Sequence, residues 1–305
     1  MYDNAHLSLT LPAGDLSAEG RLAYSKAFEG SDGQPNGKGW VRSEYRGARF
    51  EFHPEQRRVR VRGSLHTFAH GDNIGRFTAP DIAATCIELA EVLDMPARWL
   101  EVHKLEVGVN LPLPTSPRPF LESLTSHKGS PFTALNPPPG ASRPLAYGAH
   151  HSAYRLKFYD KGTYSRLQGR QPPPTAAPHL LRYEMVFERQ RPMLTVTGLP
   201  TLTLADLPRP PVMAAFASHL RKHWNLTRHR QHLNYNGLPL ANAVLLHAAS
   251  DSAFWEAMRS TQPRNTYTRN RTKASRLLHE RTEPHPYGVI FTQELDRLTH
   301  SDIAA

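Results

Sequence analysis

Residues 101–110 read EVHKLEVGVN, residues 153–161 AYRLKFYDK and residues 180–189 LLRYEMVFER. In an extended chain successive side chains point to opposite faces, so alternation of apolar and polar residues marks a strand lying on a core. The first stretch puts His103, Leu105, Val107 and Val109 on one face and Lys104, Glu106 and Asn110 on the other. The second sets Tyr154, Leu156 and Phe158 against Arg155, Lys157, Tyr159 and Lys161. The third sets Leu181, Tyr183, Met185 and Phe187 against Arg182, Glu184, Val186 and Glu188. Each strand is apolar on one side and carries the chemistry on the other.

Working outward, residues 5–11, 39–45, 48–53 and 58–65 read as an antiparallel meander, turning at His53-Pro-Glu-Gln56. Thr78 then caps a helix from Pro80 to Leu93, in which Ile82, Cys86, Leu89 and Leu93 recur at helical spacing, so Cys86 belongs to packing. Proline-rich runs at 111–119, 136–144, 171–178 and 208–211 continue neither helix nor central strand. Beyond residue 205 the chain turns helical and basic, with MAAFASHLRKHW (213–224), LANAVLLHAASDSAFWEAM (240–258) and TKASRLLHER (272–281) as helices. The expected fold is α+β, antiparallel sheets backed by helices. Its expected parts are a strand-rich stretch 1–110 with the first catalytic strand, a stretch 111–207 with the nucleophile and acidic strands, and a helical basic region 208–305.

The 305 residues suffice for one large or two smaller cores, and the apolar share of 39% contains no run long enough for a bilayer. The opening MYDNAHLSL lacks the basic start and apolar stretch of a secretory signal, so the expected location is cytoplasmic. A single cysteine excludes a disulfide framework and a cysteine-rich zinc site. The formal charge of +10 points to a polyanionic partner, nucleic acid first. Arg58, Arg60 and Arg62 alternate with Val59 and Val61 as a basic stripe able to follow a phosphate backbone. Arg221 and Lys222 beside Trp224, and Arg264, Arg269, Arg271, Lys273 and Arg276, form further basic clusters.

If the three strands share a sheet, a tyrosine, two carboxylates and several cations converge. Tyrosine, with an ordinary pKa near ~10, needs help to attack a phosphodiester at neutral pH. A hard divalent cation, magnesium or manganese, gives part of that help and prefers carboxylate oxygens such as those of Glu106 and Glu184. Lys161 can stabilise the tyrosinate or the phosphate, and Lys104, Lys157 and Arg182 can clamp phosphate oxygens. Tyr159 has the better placement, since Tyr154 falls on the apolar face and Tyr164 beyond the strand. The same charges also fit a solvated sheet face laced with cross-strand ion pairs, and spacing alone does not choose. His103, on the apolar face, reads as a core histidine rather than a ligand.

The run Tyr154-Arg-Leu-Lys-Phe-Tyr-Asp-Lys161, then Leu180-Leu-Arg-Tyr-Glu-Met-Val-Phe-Glu-Arg189 and Gly198-Leu-Pro-Thr-Leu-Thr-Leu204, resembles the gene II replication initiators of filamentous phages and related plasmid replication proteins. His103-Lys-Leu-Glu106 matches that family's first acidic strand, and the opening Met1-Tyr-Asp-Asn-Ala-His-Leu is also similar. The resemblance spans roughly residues 1–207. It implies a rolling-circle initiator that nicks origin DNA, forms a 5′-phosphotyrosine, leaves a 3′-hydroxyl primer and later rejoins the strand. By the match Tyr159 takes the nucleophile slot, and Glu106 and Glu184 the acidic slots. Two departures stand out: Glu106 and Lys104 occupy positions where the family has aspartate and arginine. The histidine-hydrophobe-histidine metal strand of many rolling-circle nickases is absent, as is a phosphate-binding loop for ATP, so a host helicase and polymerase are implied partners, with the origin met as duplex and as single strand. The alternatives are a non-catalytic origin-binding or regulatory DNA-binding protein, and a nuclease that uses water and leaves no adduct.

Overall fold

The computed structural model describes residues 1–299 except 12–19, 21, 23–24, 30, 32, 138, 171–178, 231–232, 250 and 282–286. The expected proline-rich break at 171–178 thus lies outside the described residues. The chain begins with β1 (Tyr2–Thr10), β2 (Val41–Tyr45), β3 (Ala48–His53), β4 (Arg58–Ser64), α1 (Leu65–His70) and α2 (Ala79–Leu93). Next come β5 (Glu101–Leu113), α3 (Arg118–Ser123), β6 (Leu124–His127), β7 (Ser130–Pro131), β8 (Thr133–Ala134), β9 (Ala146–His150), β10 (Arg155–Asp160) and α4 (Lys161–Leu167). β11 (His179–Phe187), α5 (Gln190–Thr197), α6 (Pro210–Asn225), β12 (Thr227–His229), α7 (Leu240–Ala248), α8 (Ser252–Thr261), α9 (Arg264–Arg281) and α10 (Tyr287–Thr299) follow.

Nine strands form one sheet in the order β2-β3-β4-β1-β5-β11-β10-β9-β8, and the pairings whose register is resolved are antiparallel. The fold is therefore α+β, a large antiparallel sheet backed by helices. The three strands expected from alternation are its centre: β11 pairs with β5 (Tyr183 opposite Val109) and with β10 (Tyr183 opposite Phe158). Leu105, Val107, Val109, Leu156, Phe158, Leu181, Tyr183 and Met185 are all fully buried, so one face of the sheet is core. Helices α6 and α10 cover it. Phe216 packs on Phe187, the Tyr183 hydroxyl donates to the Leu220 carbonyl at 3.3 Å, and Trp224 stacks on Phe291 with centroids 4.4 Å apart. Aromatic burial of this kind contributes more per residue than any other contact in a core.

The helix from Thr78 forms as the sequence predicts. Asp81 accepts from both the backbone N–H and the hydroxyl of Thr78, and Ile82, Cys86, Leu89 and Leu93 are buried. Burial pushes the Cys86 thiol up to about 12, which makes it inert.

Four expectations need correction. β5 carries an extra residue: His6 pairs with Lys104 and Leu7 with Val102, so His103 is bulged out and Val102 takes the core position. His103 instead meets the Ser8 hydroxyl at 2.7 Å. β10 ends at Asp160, whose carboxylate caps α4 by accepting from the Thr163 N–H at 2.8 Å, so Lys161 stands on a helix start rather than on the strand. Residues 240–258 are two helices, because Asp251 caps a new one by accepting from Phe254 N–H, and residues 287–299 form a helix the sequence reading omitted. Finally, the compact units are Met1–Arg228 with Val289–Ala305, and His229–Gly288. A boundary at 110 is impossible because it would cut β5, and α6 belongs with the sheet whose core it covers. The second unit holds α7, α8 and α9, with Trp255 buried and the Arg271 guanidinium 5.3 Å from its ring centre.

Candidate functional site

The polar face of the sheet is where the chemistry collects. β11 places Arg182 opposite Asn110 and Glu184 opposite Gly108 on one side, and opposite Tyr159 and Lys157 on the other. Gly108 is required there: a Cβ would fall 2.5 Å from the Tyr183 carbonyl oxygen and 2.7 Å from the Glu184 Cβ. β1 adds a group the sequence reading missed. Between the pairs Tyr2–Val107 and Ala5–Leu105, two residues of β1 face Glu106 alone, and this bulge brings Asp3 to the polar face. Bulges commonly re-aim a side chain in this way next to functional sites.

Asp3 and Glu184 are buried, and Arg182 between them is only 3% exposed. Arg182 uses all three guanidinium nitrogens: Nε donates to Glu184 Oε2 at 3.0 Å, Nη1 to Asn110 Oδ1 at 3.1 Å and Nη2 to Asp3 Oδ2 at 2.9 Å. Asp3 also accepts from the Ser64 hydroxyl and from Asn73 Nδ2. Lys157 pairs with Glu184 and lies 3.7 Å from Glu106 Oε1, while the Lys161 ammonium donates to Asn73 Oδ1. The Tyr159 hydroxyl donates to Glu184 Oε2 at 3.4 Å. Three carboxylates and three cations thus meet around one phenol.

Burial raises the carboxyl groups of Asp3 and Glu184, but it is outweighed at Asp3 by Arg182 together with Lys161 and the Ser64 and Asn73 hydrogen bonds, and at Glu184 by Lys157 with Arg182, so both sit below their ordinary values. Glu106 is the exception: burial and then the Glu184 charge push it up to about 7. Burial, then Glu184, raises the Tyr159 phenol well above its ordinary value. Burial, then Arg182, brings Lys161 down to about 8. Lys161 therefore gives up a proton near neutrality, whereas Tyr159 holds its own.

All of these groups but Arg182 line an open cleft of about 560 Å³ that also includes Ser64, Asn73, Tyr164, Gln168 and Arg170. Tyr164, which the sequence reading set aside, shares it, its ring centroid 5.9 Å from that of Tyr159. The phosphate-binding candidates divide. Lys157 and Lys161 stand in the cleft. Arg182 is too buried and too fully bonded to reach a phosphate, which corrects its assignment as a DNA contact. Lys104, on the same face, pairs with Glu188 at 2.7 Å. Arg58, Arg60 and Arg62 do form a stripe opposite the buried Val59 and Val61, on the cleft's face of the sheet. Arg60 lies 4.1 Å over the Trp40 ring and Arg62 is 3.9 Å from Glu51. Arg221 and Lys222 sit on α6, which covers the opposite face, and Arg221 pairs with Asp296 at 2.6 Å, so neither shares the site. Tyr154 precedes β10 and lies among histidine rings rather than in the sheet core.

Asp3, Glu106 and Glu184 each offer a carboxylate oxygen within 4.8 Å of the others. This all-oxygen donor set fits a hard divalent ion, with the Lys157 ammonium as the group that would move aside for it. No model of a known protein family matches the chain, and a search of curated proteins gives no match either.

Proposed function

We propose that the chain is a rolling-circle replication initiator that nicks and rejoins one strand of origin DNA through Tyr159. The observation that carries this reading is a tyrosine hydroxyl 3.4 Å from a buried carboxylate, in an open cleft flanked by two lysines. A structural ion-pair network needs neither an open cleft nor a phenol pointed into it.

In the proposed step the Tyr159 oxygen attacks phosphorus of the scissile phosphodiester while its O–H proton passes, within the same transition state, to its hydrogen-bond partner Glu184. The bond from phosphorus to the 3′ oxygen breaks, leaving a 5′-phosphotyrosine. The departing 3′ oxygen takes a proton from Lys161, whose ammonium is already an acid of about 8. Lys157 balances charge on the nonbridging oxygens. Reversal of these transfers by an incoming 3′-hydroxyl rejoins the strand. Arg182 holds Glu184 and Asp3 in place without touching DNA. Magnesium or manganese held by Glu106, Glu184 and Asp3 would supply Lewis-acid stabilisation of the phosphorane charge. Outside the cleft, Arg58, Arg60 and Arg62 continue a basic path along the same sheet face for duplex or single-stranded DNA, and unwinding and synthesis fall to a host helicase and polymerase in the bacterial cytoplasm.

The test is incubation of the purified chain with supercoiled DNA carrying its own gene and flanks, with magnesium or manganese. The reading expects nicked circles and a protein covalently joined to the 5′ end, both lost in Tyr159→Phe. Salt-sensitive binding without cleavage supports a non-catalytic DNA-binding protein instead, and cleavage without an adduct supports a nuclease using water.

A further inference from the structure

A second pocket, of about 400 Å³, opens beside the start of β5 and is lined by Ser8, Thr10, Arg58, Arg98, Trp99 and His103. Ser8 pairs with Arg60 and Thr10 with Arg58 across β1 and β4, so these side chains lie on the face of the sheet that carries the cleft. The bulge in β5 turns His103 toward β1, where its Nε2 meets Ser8 Oγ at 2.7 Å. Arg98 and Trp99 come from a single 3-10 turn, Ala97–Trp99. That turn is closed by the Trp99 N–H donating to the Pro96 carbonyl at 2.9 Å and anchored by the fully buried Leu100. It leaves Arg98 exposed and Trp99 half-buried.

The lining has two unmet needs. Its positive charge is unbalanced: among the described residues Arg58, Arg60 and Arg98 form no ion pair, and Glu51, the acid on neighbouring β3, is taken by Arg42 at 3.1 Å and Arg62 at 3.9 Å. Burial, then the Arg58 and Arg62 charges, lowers the Arg60 guanidinium, so these cations repel one another. The acid in the lining, Glu101, lies 4.0 Å from His103 and offsets only part of that charge. Trp99, for its part, packs on no aromatic ring among the described residues. A flat indole beside cations that lack a counter-charge matches a nucleotide, whose base stacks on the ring while its phosphates go to the guanidiniums.

We propose that the Trp99 pocket holds an unpaired base of single-stranded DNA, stacked on the indole, with the neighbouring phosphates on Arg58 and Arg98. A duplex has its base faces stacked on one another, so only a single strand offers one to Trp99. The sheet face between pocket and cleft continues the track, with Arg60 opposite Ser8, Arg62 opposite His6, and His6 opposite Lys104. Glu101 stands nine residues along β5 from Asn110, which pairs with Arg182 and through it lies level with Tyr159. At 3.3–3.4 Å per residue that span is roughly 30 Å, suited to the roughly 4–16 nucleotides that single-strand-binding folds cover. The choice of DNA, and of a strand that runs on to Tyr159, rests on the initiator reading; the stacking pocket and its charge do not.

The experiment is fluorescence anisotropy with the full-length chain carrying Tyr159→Phe, in chelator, so that covalent capture contributes nothing. A labelled single strand of about 16 nucleotides should bind at least about tenfold more tightly than its duplex. Trp99→Ala should weaken single-strand binding about 5- to 150-fold, the loss of one stacked base, and leave duplex binding unchanged, while Trp99→Phe restores most of it. Arg58→Ala and Arg98→Ala should each lower the slope of log affinity against log salt by about 0.7. The proposal is overturned by single-strand affinity unchanged in a Trp99→Ala chain of wild-type thermal midpoint, by equal weakening toward duplex, or by tighter binding of the ribose strand. If Trp99→Ala lowers that midpoint, the exposed Arg98→Ala decides, and an unaltered salt slope overturns the proposal. Nicking is judged separately: a missing covalent adduct with the Trp99 dependence intact sinks the nicking step alone, and an adduct with Trp99-independent binding sinks the pocket alone.

Discussion

Glu106→Gln tests the electrostatics of the cleft without removing a bulky group. The folded protein holds the Glu106 proton up to about 7, against an ordinary 4.5, so it binds that proton more tightly than the unfolded chain does. The stability this confers is fully present below pH 4.5 and is lost as pH rises through 7. For those two pKa values the loss is about 0.8 kcal/mol by pH 5 and about 3.4 kcal/mol by pH 8.5. The Glu106 side chain is 14% exposed and shares its titration with Glu184, so the working figure for the difference is about 2–3 kcal/mol. Glutamine has no proton to lose. Urea unfolding of wild type and variant at both pH values should show the variant gaining about 2–3 kcal/mol on wild type between pH 5 and pH 8.5, other titrations cancelling in the difference. A difference flat to within about 0.5 kcal/mol would refute the claim that burial and Glu184 suppress Glu106 ionisation.

Gly108→Ala should destabilise the fold by about 2–3 kcal/mol in urea unfolding and abolish any cleft activity, because the added Cβ meets the Tyr183 carbonyl and the Glu184 Cβ. Arg182→Met leaves Asp3 and Glu184 buried without their shared cation, a loss of about 3–5 kcal/mol at pH 8. Both carboxyl groups are held below their ordinary values of 3.8 and 4.5 in the folded protein, so that contribution is present above about pH 4.5 and is lost as pH falls below it, and thermal unfolding should show the deficit shrinking between about pH 5 and pH 3. Arg60→Ala should lower the slope of log affinity against log salt by about 0.9 in DNA-binding anisotropy, the loss of one phosphate contact, with the fold unchanged. An unaltered slope places the DNA path elsewhere.

The centre of the sheet was legible because β5, β10 and β11 each alternate cleanly, and alternation is what a half-buried strand requires. The same rule failed wherever a strand departs from two-residue periodicity. At His103 a bulge reversed the faces, and at Asp3 another bulge delivered a carboxylate that a reading of residues 5–11 as the first strand did not reach. Asp3 had one visible signal, a lone acid within an otherwise uncharged run beginning Met1-Tyr-Asp-Asn-Ala. Lys161 was found by proximity to Tyr159 but through the wrong element, since Asp160 can end a strand and cap a helix at once. Arg182 shared the cleft face in the pattern, yet burial turned it from a surface contact into an internal support.

The most direct test of the central claim is to digest the covalent protein–DNA product and find which tyrosine carries the phosphate. Trypsin separates the candidates, placing Tyr159 in Phe158-Tyr-Asp-Lys161 and Tyr164 in Gly162-Thr-Tyr-Ser-Arg166. The nucleotide mass is expected on the first peptide alone. The same mass on the second, or no tyrosine adduct under conditions where DNA is cut, contradicts it.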